Sequence, residues 1–252
     1  MRYKLLIEYD GTNFVGWQRQ NNGVSIQGCI EDAIEKFCQI RTSVTAAGRT
    51  DAGVHARGMA AHFDSERELD VHKIADAINF YLRPNPITIL SAELAGDDFH
   101  ARFSAHERAY IYRIANRRPP LAIDRNRAWQ IPMPLNAAAM HIAAQQLIGT
   151  FDFTSFRDAQ CQAKSPVKTI HEIRVTSPDP PFPTPHSREI EIFVRAPSFL
   201  HHMVRNITGS LVEVGLGKWI IDDFIRVRDA RDRSQAGVTA PAHGLYFLWA
   251  RY

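Results

Sequence analysis

The stretch Ala46–Phe63, AAGRTDAGVHARGMAAHF, sets Asp51 between Arg49 and His55, with glycines at 48 and 53. One residue separates Arg49 from Asp51, so in an extended segment both side chains leave the same face. A carboxylate held close to a guanidinium stays ionised and can act as nucleophile or base. The glycines let the backbone turn sharply and approach a ligand. The same residues also suit a plain turn in which Asp51 caps the backbone and Arg49 is solvated, and spacing alone leaves both readings open. A metal reading has less support. Asp51 and His55 are spaced i, i+4, but Gly53 argues against the helix that would align them. His201 and His202 are adjacent and would diverge by roughly 100° on a helix. No metal is expected.

Two further stretches carry chemistry-bearing residues. In SFLHHMVRNITGSLVEVG, 198–215, Ser198 can cap a helix whose apolar positions 199, 200, 203, 204, 207 and 211 form a buried stripe. That leaves Arg205 charged in apolar surroundings and in need of a partner: Glu213, a nearby carbonyl, or a site carboxylate from elsewhere. In RAYIYRI, 108–114, Arg108, Tyr110 and Tyr112 alternate onto one strand face, which suits base stacking and equally suits a hydrophobic core. The loop YDGTNFVGWQRQ, 9–20, follows the first strand. Its Phe14 and Trp17 read as packing residues, and its Gln18, Arg19 and Gln20 as an exposed ligand wall.

These residues need elements to position them. Strand patterns run over 3–9, 57–63 and 87–94, with a short one at 43–47; helical patterns run over 25–40, capped by Ser25, and over 70–81. A second set follows: a strand at 108–115, a helix at 136–149, strands near 167–176 and 188–195, helices at 199–215 and 219–229, and a last strand at 244–250. The repeated β-α-β-β-α-β order predicts an α+β protein of two ferredoxin-like (RRM-like) halves, each an antiparallel sheet with helices on one face, and an active-site cleft between them. The expected domains are 1–100, with the Asp51 loop, and 101–252, with the tyrosine strand and the arginine helix. The proline-rich SPDPPFPTPHS, 177–187, reads as an exposed excursion between two strands.

With 252 residues, 45% hydrophobic and 23% charged, the chain suits folded domains rather than a disordered chain. The N-terminal apolar run is broken by Glu8 and Asp10, and no stretch reaches bilayer-spanning length, so a cytoplasmic protein without a membrane partner is expected. Three cysteines without C-x-x-C spacing support neither a disulfide framework nor a zinc knuckle. Only six of the 30 basic residues are lysine. The rest are arginine, whose planar fork suits phosphate and stacks on bases, although genomic base composition also favours its codons.

Taken in order, IEYDGTNFVGWQRQ, AAGRTDAGVHARG, DFHARFSA, RAYIYRI, GTFDFTSF, FLHHMVRNITGSLVEVG and GLYFL resemble the tRNA pseudouridine synthase A family over nearly the whole chain. The resemblance departs at Met59, where members more often carry Gln, and in the longer proline-rich excursion. It implies isomerisation of uridine to pseudouridine at positions 38, 39 and 40 of the tRNA anticodon stem-loop, without a cofactor, by a homodimer. It further implies that Asp51 is the nucleophile, Arg205 its salt-bridge partner, Tyr110 the aromatic packed on the target base and Leu245 part of the pocket wall. Arg49 resembles the arginine that holds the flipped nucleotide or fills the space it leaves.

Overall fold

The computed structural model describes residues 1–39, 41–178 and 188–252. In chain order its elements are β1 (Arg2–Tyr9), α1 (Ile26–Cys38), β2 (Thr45–Ala46), β3 (His55–Asp64), α2 (Val71–Leu82), β4 (Ile87–Ala95), β5 (Glu107–Asn116), β6 (Trp129–Ile131), α3 (Ala137–Gln145), β7 (Gly149–Asp152), β8 (Val167–Ile170), β9 (Glu172–Thr176), β10 (Arg188–Ala196), α4 (Met203–Gly215), α5 (Ile221–Ala230) and β11 (Leu245–Arg251), with three short 3-10 turns among them. The protein is α+β. Of the proline-rich stretch, residues 179–187 lie outside the described residues. The chain divides into two compact units, Met1–Arg108 with Tyr246–Tyr252, and Ala109–Leu245.

In the first unit, β1 buries Tyr3, Leu5, Ile7 and Tyr9 and turns Lys4, Leu6 and Glu8 the other way, the period-2 pattern of a strand with one face on a core. Ser25 caps α1 by accepting the Gly28 N–H at 3.1 Å, and Ile26, Ile30 and Ile34 point inward. Each such isoleucine contributes about 1.5–3 kcal/mol on burial. Asp70 caps α2, which buries Ile74, Ile78 and Leu82. The strands run β4-β1-β3 antiparallel, with β2 on the far side of β3, giving the ferredoxin-like order.

The last strand departs from expectation. Read from sequence as closing the second half, β11 instead pairs in parallel with β3, Tyr246 opposite His55 and Phe247 opposite Ala56. The physical reason is an open edge. The two residues of β2 pair with only Ala61 and His62, leaving the N-terminal half of β3 without a partner on that side. Gly58 permits the closeness, since a Cβ there would lie 2.5 Å from the Leu248 carbonyl oxygen. Covered on both faces, β3 loses the alternation seen in β1: of its ten residues only Arg57 and Asp64 are exposed.

In the second unit β5, β10 and β9 lie side by side in that order, with β6 parallel to the end of β5. The predicted strand near 167–176 is in fact two. β8 pairs with β7 as a separate two-stranded ribbon, and β9 pairs with β10. The predicted helix 136–149 stops at Gln145, and Gly149, at φ +115, opens β7. α4 is buried nearly all round, as a helix threading a core must be. It begins at Met203, four residues later than a Ser198 cap would place it, with His202 at φ +59 as its N-cap.

Candidate active site

In the first unit, Asp51 sits on the turn between β2 and β3, closed by the Val54 N–H donating to the Asp51 carbonyl at 3.1 Å with Gly53 at φ +79. Asp51 is half-buried, and Arg49, two residues earlier on the same turn, is exposed. The loop that follows β1 lies directly against this turn. The Trp17 N–H donates to the Thr50 carbonyl at 3.0 Å. Gly16, at φ +109, comes so close that a Cβ would sit 2.7 Å from that oxygen and 3.1 Å from the Asp51 carbonyl carbon. A Cβ on Gly11 would sit 2.0 Å from the Val54 carbonyl oxygen. The glycines of this loop thus serve backbone-to-backbone contact with the aspartate turn.

Side chains reinforce the contact. The buried hydroxyls of Tyr9 and Thr50 share a hydrogen bond of 2.8 Å, and Trp17, which is buried, packs near Tyr9 with ring centroids 6.1 Å apart. The Arg108 Nε donates to the Ala47 carbonyl at 3.0 Å, just ahead of the turn, and its other nitrogens donate to the Ala105 and Arg102 carbonyls. Arg108, read from sequence as part of a stacking face, is therefore a brace for the aspartate loop. Phe14 is buried as expected, whereas Arg19 of the exposed Gln-Arg-Gln run is engaged by Glu31 at 3.2 Å and Asp32 at 2.9 Å. Sequence places Gly11 and Gly16 in a possible ligand wall but does not show their contact with the turn, and it gives Tyr9 and Thr50 no role. The signal of the two glycines was present only as a glycine-rich loop after a strand.

The second unit carries Tyr110, Arg205 and Leu245. Tyr110 and Tyr112 do not share an environment, because two successive half-buried residues, Tyr110 and Ile111, interrupt the burial alternation of β5. Tyr112 is fully buried, donates its hydroxyl to the Pro241 carbonyl at 2.7 Å, and presses on Gly244, where a Cβ would lie 2.5 Å from the ring. Burial pushes its hydroxyl well above the usual tyrosine range. Tyr110 is half-buried and meets Phe199 edge-on at 5.1 Å. Leu245 is buried at the start of β11.

Arg205 is held by its own unit. Its Nε donates to the Ala240 carbonyl at 2.8 Å, and the Ala240 N–H returns a bond to the Arg205 carbonyl at 3.2 Å. The strap 233–240 that supplies Ala240 is locked onto α4: Arg233 donates to Asn206 Oδ1 at 3.1 Å, to the Thr239 hydroxyl at 2.9 Å and to the Gly237 carbonyl at 3.0 Å. Asn206, fully buried, also accepts from Thr239 at 2.7 Å and donates to the Phe156 carbonyl at 2.9 Å. Glu213, one partner considered for Arg205, pairs with Lys218 at 2.9 Å.

The two histidines before α4 do not diverge as they would on a helix. Their rings lie 3.9 Å apart, and both face Asp158, with His202 Nδ1 at 2.7 Å and His201 Nδ1 at 3.5 Å. Burial works against the Asp158 charge, but the Gln160 N–H, the His202 hydrogen bond and both imidazoles outweigh it and hold the carboxyl below its usual range. The three cysteines are free thiols, with Cys38 and Cys161 buried. Among the described residues, no helix is long and apolar enough to cross a membrane.

The chain is similar to known proteins over its whole length. The family described as tRNA pseudouridine synthase matches residues 5–104 and 143–252. A tRNA pseudouridine synthase A of Paramagnetospirillum magneticum is 51% identical over 251 residues, covering 100% of this chain and 95% of its own. One from Rhodospirillum centenum is 52% identical, covering 100% and 99%, and one from Maricaulis maris 49%, covering 100% and 98%. The chain is thus alike from end to end to these enzymes, and it belongs to the tRNA pseudouridine synthase family.

Proposed function

We propose that this chain isomerises uridine to pseudouridine in the anticodon stem-loop of tRNA, at positions 38, 39 and 40, with Asp51 as the nucleophile. The observation that carries the reading is the end-to-end likeness, 51% identity over 251 residues, to a tRNA pseudouridine synthase A. In the reaction the bond from uracil N1 to ribose C1′ breaks and one from C5 to C1′ forms, while C5 loses a proton and N1 gains one. Atoms and electrons balance within the nucleotide, so the chemistry needs no cofactor.

The demands of that reaction suit the residues. A base inside a stem has to leave its stack, at a cost of a few kcal/mol, and an aromatic platform and an inserted cation help offset this. Tyr110 takes the first role and the exposed Arg49 the second. Arg205 serves as the counter-charge that keeps Asp51 ionised, and Leu245 supplies an apolar wall that keeps water from the cleaved sugar. The protein acts as a cytoplasmic homodimer.

Asp51→Asn tests this reading. A neutral isostere removes the nucleophile and leaves the phosphate contacts, so pseudouridine formation in a single-turnover assay is expected to vanish while tRNA affinity stays within roughly tenfold. Near-normal turnover by that variant would end the proposal.

A further inference from the structure

His55 opens β3 four residues after Asp51 and is 2% exposed. Its ring lies on Tyr246, with centroids 4.6 Å apart and planes 26° from parallel. Its Nδ1 accepts the Gly11 N–H at 3.1 Å. That nitrogen can accept the N–H only through its lone pair, whereas it can bond a carboxylate only through a ring proton. Asp10 Oδ1 lies at the same 3.1 Å from Nδ1, and that oxygen accepts the Thr12 N–H at 3.0 Å and the Thr12 hydroxyl.

Gly11 is the residue whose backbone abuts the Val54 carbonyl, with room for no side chain. Val54 in turn closes the Asp51 turn through its N–H. Farther along the same loop, Gly16 and Trp17 contact Thr50 and Asp51. One imidazole nitrogen therefore pins the start of a loop that bears on the aspartate turn at both ends.

We infer that His55 is a positioning residue for Asp51, whose Nδ1, in contact with the Gly11 N–H and the Asp10 carboxylate, clamps the loop 10–17 against the 50–54 turn. The inference rests on the reading of Asp51 as nucleophile. A displacement of about 1 Å at a reacting group can cost about 100-fold in rate, so loosening this clamp should register in the chemical step and not in tRNA binding.

The experiment compares His55→Phe, which keeps an aromatic ring on Tyr246 but has no acceptor, with His55→Asn, whose Oδ1 restores an acceptor at a similar reach. In single-turnover assays with saturating tRNA, His55→Phe should be slower by about 30- to 100-fold, and His55→Asn should recover to within about tenfold of the parent. The tRNA Kd of both should change by less than about threefold, since neither touches a phosphate contact. A full rate for His55→Phe, or equal rates for Phe and Asn, overturns the inference. If His55→Phe does not fold, His55→Asn against His55→Ala makes the same comparison, and equal rates there overturn it too. Asp51→Asn run alongside separates the two failures. Activity in that variant sinks the nucleophile assignment, whereas an inactive Asp51→Asn beside a fast His55→Phe sinks only the role of His55.

Discussion

Asp51 and Arg205 are held by opposite means. The Asp51 turn is gripped largely by main chain: Gly11 against the Val54 carbonyl, Gly16 against Thr50 and Asp51, and the Trp17 N–H on the Thr50 carbonyl. Arg205 is aimed through a side-chain network in which Arg233, Asn206 and Thr239 fasten the strap that presents the Ala240 carbonyl. A main-chain cradle has no adjustable part, because any Cβ at Gly11 strikes backbone. A side-chain network can lose one member and relax. The first should therefore fail abruptly under substitution and the second by degrees.

The sharpest way to break that contrast is Gly11→Ala. The added methyl would stand 2.0 Å from the Val54 oxygen, so either the loop or the aspartate turn has to move. Overpacking of this kind costs about 1–3 kcal/mol, and the displaced turn should slow single-turnover pseudouridine formation by about 100-fold or more. Gly217→Ala is the control. A Cβ there meets nothing within 4 Å, and only the left-handed backbone at φ +72 is strained. It should cost about 1–2 kcal/mol in denaturant unfolding with the catalytic rate unchanged. A Gly11→Ala enzyme as fast as the parent would mean that the cradle does not set the position of Asp51.

Asn206→Leu probes the network. It removes the acceptor used by Arg233 and Thr239 and the donor to the Phe156 carbonyl, all around a fully buried site. Leaving such groups unpaired costs about 1–3 kcal/mol, which thermal unfolding will read. The catalytic rate should fall by about tenfold, less than for Gly11→Ala, because Arg205 keeps its own bond to Ala240 while the strap shifts by a fraction of an ångström. A rate loss larger than that of Gly11→Ala would reverse the order of the two regions.

How much of this was legible in the sequence follows the range of the forces involved. The first helix was readable from Ser25 and the spacing of Ile26, Ile30 and Ile34, because capping and helical periodicity act within a few residues. The Asp51 turn was readable as a turn, but its cradle was not. Gly11 and Gly16 lie more than thirty residues from the backbone they touch. The destination of the last strand was equally hidden. GLYFLWA reads as a strand, yet its place beside β3 depends on how little of that edge the two-residue β2 covers. Tyr110 and Tyr112 show the limit of strict alternation, since the burial pattern slips between them and only Tyr112 is sealed. Ser198 looks like the cap of α4, whereas His202 in the left-handed region ends the preceding turn with the aid of Asp158 and starts the helix later.

That last contact gives the smallest effect, and its sign can be worked out. The Asp158 carboxyl titrates below its ordinary value in the folded chain, so the folded state favours the ionised form. Its contribution to stability is complete above the unfolded value, near 3.9, and is lost as pH falls through the lower folded value. Asp158→Asn removes the contribution at every pH. The parent should be more stable than the variant by about 1 kcal/mol at pH 5, and the gap should narrow towards pH 3 in denaturant titrations. A gap that stays constant or widens on acidification would mean that Asp158 anchors the histidine turn without its charge, and that the network around α4 is as indifferent to protons as a backbone contact would be.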